Sequence, residues 1–276
     1  MAIDGGNRSL APERATSWTA TMSVHPRIIS GLSINAGYFH IDYRGRIAQP
    51  LLSTLGALAN PAYTSFVTVM PSAAQLASTL AVAPDALINN SGVAYNPASV
   101  VGIVDNRFSN VARQISKGID ASAVYNAKLE GVGEIALSAS GTWLSSRRQL
   151  IKGEAAVHLA GLIFNPAGFR GRVGSSITRD RTTVSAFVNR TAGVDDERRE
   201  PFLHVSGQTT LDATIRYALG QDAGRLQGLE LIAAITNAFD THPALIRISS
   251  DYYPPYDSTN YSAIGRVLSL TISKAW

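Results

Sequence analysis

Cysteine is absent from these 276 residues, which excludes a disulfide scaffold and any Cys-ligated metal centre. Charge is sparse: Asp, Glu, Lys and Arg make up 16% of the chain, against roughly 25% in an ordinary soluble domain. Long hydrophobic runs are missing too; no window reaches about 18 consecutive apolar residues, so no transmembrane helix is expected. Met1-Ala2-Ile3-Asp4-Gly5-Gly6-Asn7 has neither a charged leader nor an apolar stretch and does not read as a signal peptide. Catalytic signatures are lacking. His25, His40, His158, His204 and His242 are dispersed, with no G-x-S-x-G, P-loop or G-x-G-x-x-G. The glycine-rich run Gly168-Phe169-Arg170-Gly171-Arg172-Val173-Gly174 alternates as a strand would. No enzyme, catalytic residue, metal or cofactor is expected.

What is present is a finely interleaved chain. A hydrophobic content of 45% and 21 aromatic residues exclude disorder, although mean hydropathy is only +0.06. The net charge is +4, and 20 of the 24 basic residues are Arg, scattered without a basic run. That dispersal does not suggest a nucleic-acid partner.

Period 2 recurs along the sequence. It appears around Trp18–Val24, Leu32–Tyr43, Ile119–Tyr125, Ile135–Trp143, Phe169–Ile177, Thr183–Asn189, Leu211–Leu219, Leu229–Ile235 and Leu268–Trp276. Phe187 breaks the pattern, and a phase slip after Tyr38 predicts a bulge near Gly37. Nine strands result, most of about ten residues, which suits a tilted membrane crossing better than a soluble sheet. Their connections alternate strictly, short at 25–29, 127–131, 179–181 and 220–226, long at 49–107, 147–168, 191–206 and 240–262. An outer-membrane barrel has this asymmetry, with short periplasmic turns and long external loops. The longest loop carries one helix-like stretch, Ser72–Leu80.

The same geometry assigns two interface belts of aromatics. Trp18, Trp143 and Phe169 fall at outer strand ends, and Tyr125, Tyr217 and Trp276 at inner ends. Polar faces should line a wet or plugged lumen, where Arg170, Arg172 and Arg216 are candidates to line an anionic ligand. The alternative is that these arginines pair with lumen carboxylates such as Glu134 and Asp212. Asp195-Asp196-Glu197-Arg198-Arg199-Glu200 offers a divalent-cation or lipid-phosphate site, or a solvated loop tip. Asp251, Asp257 and the tyrosines near them (Tyr252, Tyr253, Tyr256, Tyr261) line a ligand mouth or form a self-packed loop.

Several ordered segments resemble the C-terminal β-barrel of TonB-dependent outer-membrane receptors. Gly6-Asn7, Leu10, Pro12-Glu13 and Trp18 resemble one late strand of that family, and Gly31-Leu32 through Arg46-Ile47 the next. Lys117-Gly118-Ile119-Asp120, Thr210-Leu211-Asp212 with Arg216-Tyr217, and Asn237-Ala238-Phe239-Asp240 with Pro243 are similar to later elements. Tyr256-Asp257, Asn260 and Gly265-Arg266 resemble the approach to the last strand.

The resemblance implies an all-β, antiparallel transmembrane barrel of 22 strands in the Gram-negative outer membrane, filled by a plug. It implies TonB-driven import of a scarce ligand such as a ferric siderophore, cobalamin or carbohydrate. Against that pattern, residues 1–276 read as the C-terminal part, about nine strands, without signal peptide or plug, and not active alone. Its expected partners are outer-membrane lipid, the missing N-terminal strands and plug, the TonB complex, and the barrel-assembly machinery. Gly265, Leu268, Leu270, Ile272 and terminal Trp276 (Phe is commoner there) resemble that machinery's recognition signal. Two other readings stay open: a complete small porin-like channel, and a soluble β-rich binding module.

Overall fold

The structure, a computed structural model, describes residues 1–51, 54, 56–82, 87–248 and 254–275. Nine long strands form one meandering sheet: β2 (Arg14–Val24), β3 (Leu32–Ala48), β6 (Ser109–Leu129), β7 (Gly133–Gln149), β9 (Phe169–Arg179), β10 (Thr182–Thr191), β13 (Gln208–Ala218), β14 (Leu229–Thr236) and β15 (Val267–Lys274). Each is hydrogen-bonded to the next in this series, and β2 and β15 are the two edges, so the sheet is open. The nine segments of alternating hydropathy are these nine strands. Short links at 25–31, 130–132, 180–181 and 219–228 alternate with long ones at 49–108, 150–168, 192–207 and 237–266. Among the described residues no helix is long and apolar enough to cross a membrane.

Why these residues make strands is visible in the register. Directly opposed residues share a face of the sheet. Ile135, Ile177, Val184, Ile215, Ala233 and Leu270 form one continuous row. Leu137, Ser175, Ala186, Ala213, Ile235 and Leu268 form the next, and Ala139, Val173, Val188 and Leu211 a third. The opposite face carries Glu134, Thr178, Thr183 and Arg216 in one row and Ser140, Arg172, Asn189 and Thr210 in another. The apolar face is uncovered: Val173 is 61% exposed, Leu268 74% and Leu270 73%. A contiguous bare apolar face of this extent requires a non-aqueous neighbour.

The phase slip expected at Gly37 is not there. Trp18 meets both Tyr38 (centroids 5.0 Å) and His40 (5.9 Å), while the Phe39 ring lies against Gly118 on the other face. Alternation therefore runs through Gly37 unbroken, and Phe39 is an aromatic on the polar face. The left-handed residue of β3 is Gly45 (φ 60°) instead.

The chain divides into two compact units. One comprises residues 1–16, 42–115 and 148–157. There β1 (Ala2–Ile3) pairs in parallel with β5 (Gly102–Asp105), which pairs antiparallel with β4 (Val67–Val69). Leu51, Ala57 and Val104 form its core, backed by Tyr63, Phe66 and Val67. Helix α1 (Ala73–Ala81) stands where the sequence predicts one. It starts at a reciprocal capping box in which the Gln75 backbone N–H donates to Ser72 Oγ and the Ser72 N–H donates to Gln75 Oε1. In the same unit Asp42 accepts two hydrogen bonds from Arg113 (2.8 and 2.9 Å) and one from Arg44.

The other unit comprises residues 17–41, 116–147 and 158–276. Besides most of the sheet it holds the hairpin of β11 (Val194–Asp196) and β12 (Leu203–Val205); the two-residue strand β8 (Val157–His158) straddles the division between the units. The three later long links pack on one another there. Ile163, Ala167, Val194, Val205 and Tyr261 form a buried cluster with Ala244 and Ile246 against it.

Candidate functional site

The polar face of β2, β3, β6, β7, β9 and β10 surrounds a hollow of about 730 Å³ that runs across the sheet from the short-link end of β2 and β3 to the long-link end of β9 and β10. Thr21, Asn35, Asp120, Ser140, Arg172 and Asn189 are among the residues that line it. Asp120 Oδ1 accepts from Thr142 Oγ1 at 2.5 Å. Asn189 donates to Asp212 Oδ2 at 2.8 Å, and Asp212 Oδ1 accepts the Asn237 backbone N–H at 3.0 Å. Both Asp212 oxygens are thereby engaged. This joins Thr210-Leu211-Asp212 to Asn237-Ala238-Phe239-Asp240. Asn237 holds a left-handed backbone (φ 50°) and closes its own turn through Thr241, as Asn tolerates.

Two of the three candidate arginines meet in this hollow. Arg170 and Arg172 sit two residues apart on one face of β9. The Arg172 guanidinium lies 4.0 Å over the Phe187 ring, and it has no carboxylate partner among the described residues. Phe187, the residue that breaks its strand's alternation, fills the notch left by Gly174, where a Cβ would come within 2.1 Å of the ring. A polar face can carry an aromatic when glycine makes room and a cation covers it. Arg170 donates to the neutral Asn260 Oδ1 at 2.9 Å. Arg216 lies six residues farther along the face, roughly 20 Å at about 3.3 Å per residue, and pairs with Glu230 at 2.6 Å. None of the three pairs with Glu134, which meets Lys128 at 3.8 Å, or with Asp212.

In the cluster Asp195–Glu200 five residues are exposed, as a solvated tip requires, and Asp196 alone is buried. Asp196 is 1% exposed, accepts from Arg198 at 2.8 and 2.9 Å, and meets Arg247 at 3.3 Å. Hydrogen bonding from Arg198 and both positive charges outweigh its desolvation and hold its carboxyl down at about 2. Asp257 is fully buried and accepts from the backbone N–H of Phe164 and Thr259 and from Asn260. Tyr261 donates to the Ala192 carbonyl, and burial pushes its phenol up to about 12. The self-packed alternative holds for Asp257 and Tyr261; Asp251, Tyr252 and Tyr253 lie outside the described residues. No group of three metal-ligating side chains occurs among the described residues.

Trp18, Tyr125, Trp143, Phe169 and Tyr217 lie on the apolar face. Trp143 and Phe169 are register partners with rings 4.8 Å apart. The Phe169 ring covers Gly141 and Gly171, where a Cβ would approach it to 3.0 and 2.6 Å. Trp18 stacks on His40 at the same long-link end of the sheet, whereas Tyr125 and Tyr217 sit near short links. In β15, Leu268, Leu270 and Ile272 pair with Ile235, Ala233 and Leu231 on the apolar face. Gly265 packs against Asp240, and Trp276 lies outside the described residues.

Asn260 stands in the sequence only as part of the approach to the last strand, and nothing local marks its bond to Arg170, the place of Asn189 or the role of Phe187. The broken alternation at Phe187, read beside Gly174, was the one available signal.

The sequence pattern of the TonB dependent receptor-like β-barrel family matches residues 1–238. The FrpB iron transporter from Neisseria meningitidis superposes with a TM-score of 0.56 at 11% identity, over 98% of this chain and 32% of that one. The pyoverdine outer membrane receptor FpvA from Pseudomonas aeruginosa gives 0.54 at 13%, over 97% and 30%. The copper transporter OprC gives 0.53 at 12%, over 99% and 34%. The chain thus spans about a third of the length of these solved relatives. A search of curated proteins finds no match. The chain belongs to the TonB-dependent receptor β-barrel family, whose members are receptors and transporters of the Gram-negative outer membrane.

Proposed function

We propose that this chain forms nine consecutive strands in the wall of a TonB-dependent transporter, and that sequence outside these 276 residues supplies the plug and the remaining strands. The observation that carries the reading is the open sheet: nine strands with one face apolar and bare, and both edges unpaired. In hydrocarbon an unpaired backbone edge costs several kcal/mol per group, so such a wall needs further strands to close. The assembled protein would import a scarce ligand with energy from the TonB complex, by a route that is not enzymatic. Arg170 and Arg172, neither neutralised by a carboxylate among the described residues, support an anionic ligand such as a ferric siderophore over a neutral one.

The test is to refold the isolated chain in detergent. Aggregation, or rescue only by added strands, supports the reading. A heat-resistant monomer with ion conductance in planar bilayers would instead establish a complete, passive pore. For the ligand, Arg170→Gln with Arg172→Gln in the assembled receptor should weaken capture of an anionic ferric chelate about tenfold. Unchanged capture removes these two residues from the ligand path.

A further inference from the structure

On the polar face Arg172 stands between two carboxylates and pairs with neither. Its register partners are Ser140 on β7 and Asn189 on β10. Asp212 lies two strands to one side and one step nearer the short links, opposite Phe187. Asp120 lies two strands to the other side and one step nearer the long links, beside Thr142, which faces Arg170. Two strand spacings are about 10 Å and two residues about 7 Å, so each aspartate Cα is about 12 Å from that of Arg172. An extended arginine and an aspartate can close that gap between them.

The two carboxylates differ. Asp212 is occupied, since Asn189 Nδ2 and the Asn237 backbone N–H take one oxygen each. Asp120 is exposed and accepts only from Thr142 Oγ1 among the described residues. What draws Arg172 away from it is Phe187. The ring fills the notch at Gly174, two residues beyond Arg172 toward the short links, and the guanidinium lies 4.0 Å over the ring. The side chain therefore leans opposite to Asp120. A ring attracts a cation through its quadrupole but carries no net charge, so it holds the guanidinium without cancelling it. A carboxylate would do both. Arg170, the other cation of this face near the hollow, is likewise tied to a neutral group, Asn260 Oδ1 at 2.9 Å; the buried Asp257 stands behind that amide, 2.8 Å from Asn260 Nδ2.

We propose that Phe187 is a positioning residue that sets the charge of the hollow: its ring holds Arg172 off Asp120, which leaves the guanidinium available to an anionic ligand. The inference rests on the ligand reading above and adds the residue that keeps the cation free.

The test uses the receptor with the sequence that completes its sheet. The probes are two ferric chelates of similar size, an anionic tris-catecholate and a neutral tris-hydroxamate. Phe187→Leu keeps apolar bulk and removes the quadrupole. Arg172 should then reach Asp120, seen in a crystal structure as a guanidinium–carboxylate pair. Capture of the tris-catecholate should fall about fivefold, the worth of one exposed cation–π pair. Capture of the tris-hydroxamate should not change, and Phe187→Tyr should preserve both. Gly174→Ala, which presses a methyl into the ring from the neighbouring strand, should act as Phe187→Leu does. Asp120→Asn added to Phe187→Leu should restore anionic capture, because the competing carboxylate is gone. A guanidinium unmoved in Phe187→Leu, an equal loss of both chelates, or a loss that Asp120→Asn does not restore overturns the proposal. Arg172→Gln separates it from the reading beneath it. If that variant lowers tris-catecholate capture and Phe187→Leu does not, only the positioning role is lost. If neither lowers it, Arg172 leaves the ligand path and both fall.

Discussion

The sheet and the packed links at its far end are built by opposite rules. Along β9, β10, β13 and β15 the apolar residues are bare, Val173 at 61%, Ile215 at 48% and Ile272 at 64% exposed, and order comes from the backbone ladder. In the links, Val194 at 1% sits beside Asp196 at 1% and Asp257 at 0%, and order comes from a small apolar cluster with two buried carboxylates. The sheet's solvent is hydrocarbon, which rewards apolar exposure and punishes unpaired backbone. The links face water, so they bury their apolar groups and must satisfy every polar group they bury with them.

A charge placed on each face of one strand should separate these environments most sharply. Ile215→Arg puts a cation on the lipid face and is expected to cost about 2–4 kcal/mol near the membrane midplane. Thr214→Arg, one residue away on the polar face, should cost far less. Urea unfolding of the assembled protein in vesicles measures both, and equal losses would mean the faces are not distinct. Spin labels at Leu211 and Asp212 probe the same contrast without charge: lipid-soluble relaxers should reach the first and water-soluble ones the second.

In the links, Asp196→Asn leaves Arg198 and Arg247 facing each other without a countercharge. Since Arg198 is partly exposed, the loss should be about 2 kcal/mol, local to residues 192–207, and visible as faster amide exchange there. The sheet amides should not change. Acid does the same work reversibly. The Asp196 carboxyl is held at about 2 in the folded protein against 3.8 ordinarily, so its contribution is complete above pH 4 and fades as pH falls toward 2. Amide exchange followed from pH 5 to pH 2 should accelerate in the wild-type links and show less pH dependence in the Asn variant.

The smallest expected effect is at the ring-covered glycines. Gly171→Ala would press a methyl against Phe169, and about 1 kcal/mol with a shift in Trp143 emission is expected. An unshifted spectrum would mean the ring moves freely.

Period 2, the alternation of short and long links, the helix after Ser72 and the nine strands were all legible in the sequence, because each is local: alternation follows from backbone geometry, and capping from residues three apart. Phe187 and Phe39 looked like errors in phase because what permits them, Gly174 and Gly118, lies on neighbouring strands. The run from Asp195 to Glu200 is a wet tip except at Asp196, and that exception was hidden because Arg247, which helps bury Asp196, is 51 residues distant. Likewise Asn260 reaches Arg170 across 90 residues and the Ala167 backbone across 93. The sequence by itself determined which segments extend and which of their sides is oily. Only the tertiary structure decided which charges are neutralised and which stand free, since pairing depends on distances between links that no local pattern encodes.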